Sequence, residues 1–120
     1  MDRRELGQRG ESAAVVYLQR IGFTVLETNW RTRAGEIDIV ASDGECLVLI
    51  EVKTRRTISK GSPEDAVSPA KQRKLGKLAA AYVQRMEREP AEIRFDVVTI
   101  HVLGEDRALL RHHRAAFQLT

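Results

Sequence analysis

The chain has 120 residues, 42% hydrophobic and 31% charged, with a formal net charge of +3. This length suits one compact domain over residues 1–120 and leaves no room for two. The lone cysteine, Cys46, excludes an internal disulfide, no run is apolar enough to cross a membrane, and the segment Met1 to Glu5 lacks the apolar stretch of a signal peptide, so a cytoplasmic protein is expected.

The first predicted element is a helix from Arg3 to Ile21. Leu6, Gly10, Ala13, Ala14, Tyr17, Leu18 and Ile21 recur at helical spacing, and Gly22 follows as a C-cap. Glu11 falls on the flank of that apolar stripe, more inward than a solvated glutamate should be. Three strands follow, over Phe23–Trp30, Glu36–Ala41 and Cys46–Thr54, with Ser42-Asp43-Gly44 as the hairpin signal between the last two. Residues Thr57 to Ser62 read as a loop, and Ser62-Pro63-Glu64-Asp65 opens a short helical turn. Ser68-Pro69 opens a second long helix ending near Glu87, with Leu75, Leu78, Ala79, Tyr82, Val83 and Met86 as its apolar stripe and Lys71 at the start of it. Ile93–Val102 is a fourth strand, and Ala108–His112 a fifth at the sheet edge. The order α-β-β-β-α-β-β predicts a mixed α/β sheet of four to five strands with the helices on opposite faces.

Two segments carry charge where a buried strand should be apolar: Gly35-Glu36-Ile37-Asp38 and Ile50-Glu51-Val52-Lys53. Unpaired charge in such a place costs several kcal/mol, roughly, so it is paired or holds a metal. If Asp43 and Gly44 form a two-residue turn, Glu36 lies opposite Glu51 and Asp38 opposite Leu49. Glu36, Asp38 and Val40 then share a face with Leu47, Leu49, Glu51 and Lys53, and Asp38 and Glu51 are diagonal neighbours. The other face reads Ile37, Ile39, Ala41, Cys46, Val48, Ile50 and Val52. Hard oxygen ligands without a nearby cysteine or paired histidine favour magnesium or manganese over zinc. Two basic clusters follow the acidic pair: Lys53, Arg55, Arg56 and Lys60, then Lys71, Arg73, Lys74 and Lys77. A positive rim around an acidic centre suits a polyanion whose phosphate must approach a metal; two solvated faces are the alternative.

A helix-borne glutamate, a strand aspartate, Glu-x-Lys on the next strand and a basic helix together resemble the restriction-endonuclease-like nucleases, often written PD-(D/E)xK. Within that superfamily the chain is similar to the bacterial YraN-like family, distantly like archaeal Holliday junction resolvases. The matching residues span nearly the whole chain: Gly10-Glu11, Ala14, Tyr17-Leu18, the region of Asn29, Gly35 to Asp38, Glu51 to Arg55, Gly61 to Pro63, Lys71-Gln72 and Arg94 to Val98. The proline of the superfamily motif is absent, since Ile37 precedes Asp38. The resemblance implies a restriction-endonuclease-like core and a divalent-metal-dependent endonuclease acting on DNA, of branched or single-stranded form, with Mg2+ or Mn2+ as cofactor. Asp38, Glu51 and the Val52 carbonyl would hold the metal. Lys53 would orient or activate the attacking water, Glu11 would assist at the metal or the water, and Lys71 would touch the scissile phosphate or its neighbour. Arg55, Arg56 and Lys74 are further nucleic-acid candidates, with Glu36 secondary.

Each of these has a structural alternative. Glu51 and Lys53 could form an ion pair with Asp38, Glu11 could be a surface residue, and Lys71 a helix-end lysine. Glu36 reads better as a partner of Arg31, Arg33 or Lys53 than as a ligand. Asp96 is expected to pair with a neighbouring arginine, His101, His112 and His113 to be structural, and Trp30 to anchor a strand end. Leu109, Leu110 and Phe117 are candidates for a homodimer interface. The alternative function is a nucleic-acid-binding or adaptor module that keeps the nuclease fold with little or no catalysis.

Overall fold

A computed structural model describes residues 2–56 and 67–118. The loop expected over Thr57–Ser62, the helical turn opened by Ser62, the Gly61 to Pro63 match and Lys60 lie outside the described residues. Helix α1 spans Arg3–Arg20, strand β1 Thr24–Thr32, β2 Gly35–Asp43 and β3 Cys46–Arg55; α2 spans Pro69–Gln84, β4 Glu92–Gly104 and β5 Arg107–Phe117. The predicted order α-β-β-β-α-β-β is therefore the observed one. The five strands form one sheet in the order β1-β2-β3-β4-β5. Only β3 and β4 are parallel, joined by the crossover that carries α2. No described helix is long and apolar enough to cross a membrane.

Local chemistry starts both helices. The Asp2 carboxylate accepts from the Glu5 N–H at 2.9 Å, and the Ser68 hydroxyl accepts from the Lys71 N–H at 3.2 Å ahead of Pro69. Ile21 and Gly22 end α1, and α2 stops at Gln84, three residues short of the expected end. Each helix covers one face of the sheet. Leu18, Ala14 and Phe23 pack with Ile39, Ala41, Cys46, Val48, Ile50, Val98 and Ile100. Leu75, Leu78, Ala79 and Tyr82 pack with Val40, Leu47, Leu49, Phe95, Val97 and Phe117. Ala13 and Ile21, read as part of the α1 stripe, are exposed.

The hairpin between β2 and β3 differs from expectation by an even shift of register, and the face assignment fails at Ile37. Asp43 pairs with Cys46, so Gly44 and Glu45 form the two-residue turn, with Gly44 in the left-handed region at φ 61°. Every cross-strand partner moves by two residues: Val40, not Asp38, faces Leu49. An even shift leaves each side chain on its own face. Pairing of β2 to β3 ends at Ile39↔Ile50, while β2 continues along β1 down to Gly35. Past that point the pleat of β2 answers to β1 alone. Ile37, opposite Trp30, accordingly packs on the α2 side rather than with Ile39.

Trp30 packs edge-on against Tyr82 with ring centroids 5.2 Å apart, as a strand anchor rather than a free stacking platform. Strand β5 runs five residues past its expected end because a bulge at Ala115 (φ 51°) carries it to Phe117. Phe117 stacks on Phe95 and Leu110 packs toward α1, so of the three expected interface residues only Leu109 is exposed.

Gly10 is where α1 touches β3. A Cβ there would stand 2.0 Å from Thr54 Oγ1 and 3.1 Å from Thr54 Cβ. Gly10→Ala forces the Thr54 side chain or the helix to shift, and overpacking of this kind costs about 1–3 kcal/mol. A thermal melt should show the loss; an unchanged melting temperature would mean that α1 is not seated on β3 this closely.

Candidate functional site

The charged residues collect where β2 leaves β3. Asp38 and Glu51 are the residues next after the last β2–β3 pair, Ile39↔Ile50. In place of a further rung of the ladder, the Val52 N–H donates to Asp38 Oδ2 at 2.8 Å. That bond ties the aspartate of one strand to the backbone of the next and fixes its direction. Glu51 is 7% exposed. Its Oε1 takes the Lys53 ammonium at 3.2 Å and also the Lys71 ammonium from the first turn of α2. The sequence thus brings Asp38, Glu51, Val52, Lys53 and Lys71 to one place, and Lys71 contacts the carboxylate itself.

The electrostatics follow from this crowding. Burial, then repulsion from Glu51, push the Asp38 carboxyl from its ordinary 3.8 up to about 7, against the pull of the Val52 N–H. Burial alone would lower the Lys71 ammonium, but the hydrogen bond and charge of Glu51 outweigh it and raise the group overall. Because the fold favours protonated Asp38, its stabilising contribution is complete below pH about 3.8 and is lost as pH rises through about 7. In EDTA, Asp38→Asn is therefore expected to melt higher than the parent at pH 8, with the difference closing toward pH 4. Equal melting temperatures across that range would show that Asp38 is not strained by its surroundings.

Two clefts meet at Asp38. One, of about 1040 Å³, runs between α1 and the strands and is lined by Arg3, Arg4, Gln8, Glu11, Ser12, Asn29, Arg31, Asp38, Val52, Lys53, Arg55 and Arg56, among others. The other, of about 470 Å³, lies under α2 and is lined by Gly35, Glu36, Asp38, Glu51, Lys71, Lys74 and Leu75, among others. The two expected basic groups are divided between them: Arg55 and Arg56 line the first, Lys71 and Lys74 the second. Arg3 and Arg4 extend the basic wall; sequence reading passed over them because an arginine pair at a helix start is ordinary solvated surface.

Glu11 lines the first cleft and is half-buried. Its Oε1 accepts from the Asn29 side-chain amide at 2.5 Å. Burial raises the Glu11 carboxyl, and the Asn29 bond offsets part of that. Asn29 itself has φ 50° inside β1, between the pairs Thr28↔Ile39 and Trp30↔Ile37, so it stands across the ladder from Asp38. A non-glycine residue in that region is strained by about 1–3 kcal/mol, and asparagine bears it best. The position was visible in sequence only as part of the resemblance.

Glu36 is exposed and pairs with Arg31 at 2.9 Å, one of the partners expected for it, and does not join Glu51. Among the described residues, no three His, Cys, Asp or Glu side chains converge as a ready metal site. Glu11 thus shares a cleft with Asp38 without completing a cluster. What remains is a pair of carboxylates, Asp38 and Glu51, with no sulfur or imidazole among the residues lining the two clefts. That set fits magnesium or manganese, hard cations that keep waters and use one or two carboxylates.

A second buried ionic group lies away from the clefts. Asp96, 1% exposed, accepts from Arg94 Nε at 2.8 Å, Arg94 Nη2 at 3.0 Å and the Ala115 N–H at 3.0 Å, and pairs with His112 Nε2 at 2.7 Å. Arg94 also reaches Asp43, and Tyr17 of α1 meets His112 Nδ1 at 2.9 Å. Asp96 and His112 are structural, as expected.

Residues 10–100 match the family described as Uncharacterised protein family UPF0102. A UPF0102 protein of Geobacter sulfurreducens is 46% identical over 95% of this chain and 89% of its own. One from Symbiobacterium thermophilum is 44% identical over 95% of this chain and 97% of its own, and one from Caldicellulosiruptor saccharolyticus 42% identical over 91% and 92%. The match over most of the chain, with relatives of this identity and coverage, shows that the chain belongs to the UPF0102 family.

Proposed function

We propose that this protein is a divalent-metal-dependent endonuclease that hydrolyses phosphodiester bonds of DNA, branched or single-stranded, with a restriction-endonuclease-like site. The observation that carries this reading is the meeting of Asp38, Glu51 and Lys53 at the point where β2 and β3 part, at the junction of two clefts with basic walls. Asp38, Glu51 and the Val52 carbonyl would hold Mg2+ or Mn2+. When bound, such an ion polarises a phosphoryl oxygen and lowers the pKa of coordinated water.

The chain's own residues do the rest. Asp38 is aimed by the Val52 N–H, so its free oxygen points to a fixed place. Lys53, tethered by Glu51, orients the attacking water and offsets charge at the phosphate. Glu11, held by Asn29, stands in the same cleft as Asp38 and positions water or metal. Arg3, Arg4, Arg55 and Arg56 line the path of the polyanion in one cleft and Lys74 in the other. The test is incubation of the purified protein with labelled linear, flapped and four-way DNA in magnesium or manganese. Cleavage that disappears in Asp38→Ala is expected, and the absence of cleavage on every substrate would sink the reading.

One observation favours a second reading, a nucleic-acid-binding module without chemistry. Glu51 already has two ammonium partners, and no three-ligand cluster exists among the described residues. DNA binding that is indifferent to EDTA and to Asp38→Asn would support it.

A further inference from the structure

We propose that the Lys71 ammonium competes with the divalent cation for Glu51, and that cation binding expels Lys71 into the α2-side cleft. This rests on the metal-dependent reading above. One carboxylate oxygen, Glu51 Oε1, receives both Lys53 and Lys71. Two ammoniums occupy that oxygen, and although the nearby Asp38 carboxyl offsets part of their charge when ionised, a dication taking the same oxygen meets repulsion from both. A cation that takes Oε1 displaces one of them.

The geometry selects Lys71. Lys53 lies two residues from Glu51 on the same strand, and its side chain is 19% exposed. Lys71 reaches in from another element, and its side chain is 39% exposed. Its backbone is pinned by the Ser68 cap, so only the flexible stem need move. The cleft beside it is already lined by Lys71 and Lys74, which lie three residues apart on α2 and so share a side of the helix. The expelled amine would therefore enter open cleft without disturbing the core positions Leu75 and Leu78.

The test is calorimetric titration of Mn2+ into the full chain and into Lys71→Gln and Lys71→Met, with melts confirming that at least one variant is folded. Removing the competitor should tighten Mn2+ binding, by roughly tenfold for one charged hydrogen bond no longer in competition. In parallel, brief acylation with acetic anhydride, read by mass spectrometry, should show Lys71 of the parent reacting faster with Mn2+ present, with Lys77 unchanged. Mn2+ affinities in both variants equal to or weaker than the parent's, with Lys71 reactivity unmoved, would overturn the proposal and leave the metal site standing. No Mn2+ binding by parent or variants would overturn the metal-dependent reading and this proposal with it.

Discussion

Lys53→Ala is expected to lower magnesium-dependent DNA cleavage by roughly 10²–10⁴-fold, the range for losing a positioned proton-transfer or charge-stabilising group. Lys53 is the cation of the site carried on the same strand as Glu51, and its ammonium lies 3.2 Å from that carboxylate. Asp38→Ala should be as damaging, for a different reason. It removes a carboxylate of the pair and leaves the Val52 N–H without its partner. The two variants should separate in metal binding: Lys53→Ala keeps both carboxylates and should still bind Mn2+, whereas Asp38→Ala should bind it poorly. Because Lys53 is half-buried rather than in the core, its variant should fold. Cleavage within a few-fold of the parent in either variant would remove these residues from the chemistry.

The largest effect on stability is expected at Asp96. Removing one partner from a buried ion pair strands the other, at about 3–5 kcal/mol. Asp96→Asn keeps the shape but cannot answer the Arg94 guanidinium, which meets both carboxylate oxygens. Burial would raise the Asp96 carboxyl, yet the bonds from His112, Arg94 and Ala115 outweigh it and hold the group below its ordinary value. A lowered folded value places this stabilisation above the unfolded pKa of about 3.8, to be lost as pH falls through the folded one. Urea unfolding at pH 7 should therefore show a large loss in Asp96→Asn that shrinks in acid. A loss under about 1 kcal/mol at pH 7 would mean the network is dispensable.

The two ionic centres show what a single sequence makes legible. The element order is legible from apolar periodicity, because helix α2 repeats its buried residues at helical spacing, the first half of β3 is a continuous apolar run, and β2 and β4 carry short apolar stretches broken by single polar residues. The proximity of Asp38 and Glu51 is legible from parity, because a turn at Gly44 and Glu45 in place of Asp43 and Gly44 shifts the register by an even number. Three features were not legible. The parting of β2 from β3 after Ile39 depends on how far each strand follows a different neighbour, which periodicity does not encode. The left-handed Asn29 and Ala115 come with tertiary partners, Glu11 and Asp96, that no local pattern announces. The resemblance makes Lys71 a phosphate contact, with an ordinary helix-end lysine as the alternative; that its long stem reaches Glu51 is a matter of side-chain reach across elements.

Asp43 was read only as a turn residue. In the structure it also receives Arg94 at 3.2 Å and Arg114 at 3.7 Å, linking the hairpin to β4 and β5. Such contacts join residues about fifty or more positions apart, where pattern arguments along the chain lose their hold. His112 likewise gains its role from Asp96 and Tyr17, which come from β4 and α1.

Joint holding of a divalent metal by Asp38 and Glu51 is tested by a crystal structure with Mn2+, read by anomalous diffraction. An ion bound to both carboxylates and the Val52 carbonyl is expected, with Lys71 withdrawn from Glu51. No anomalous peak at that position, with Glu51 still held by Lys53 and Lys71 at saturating Mn2+, would contradict it.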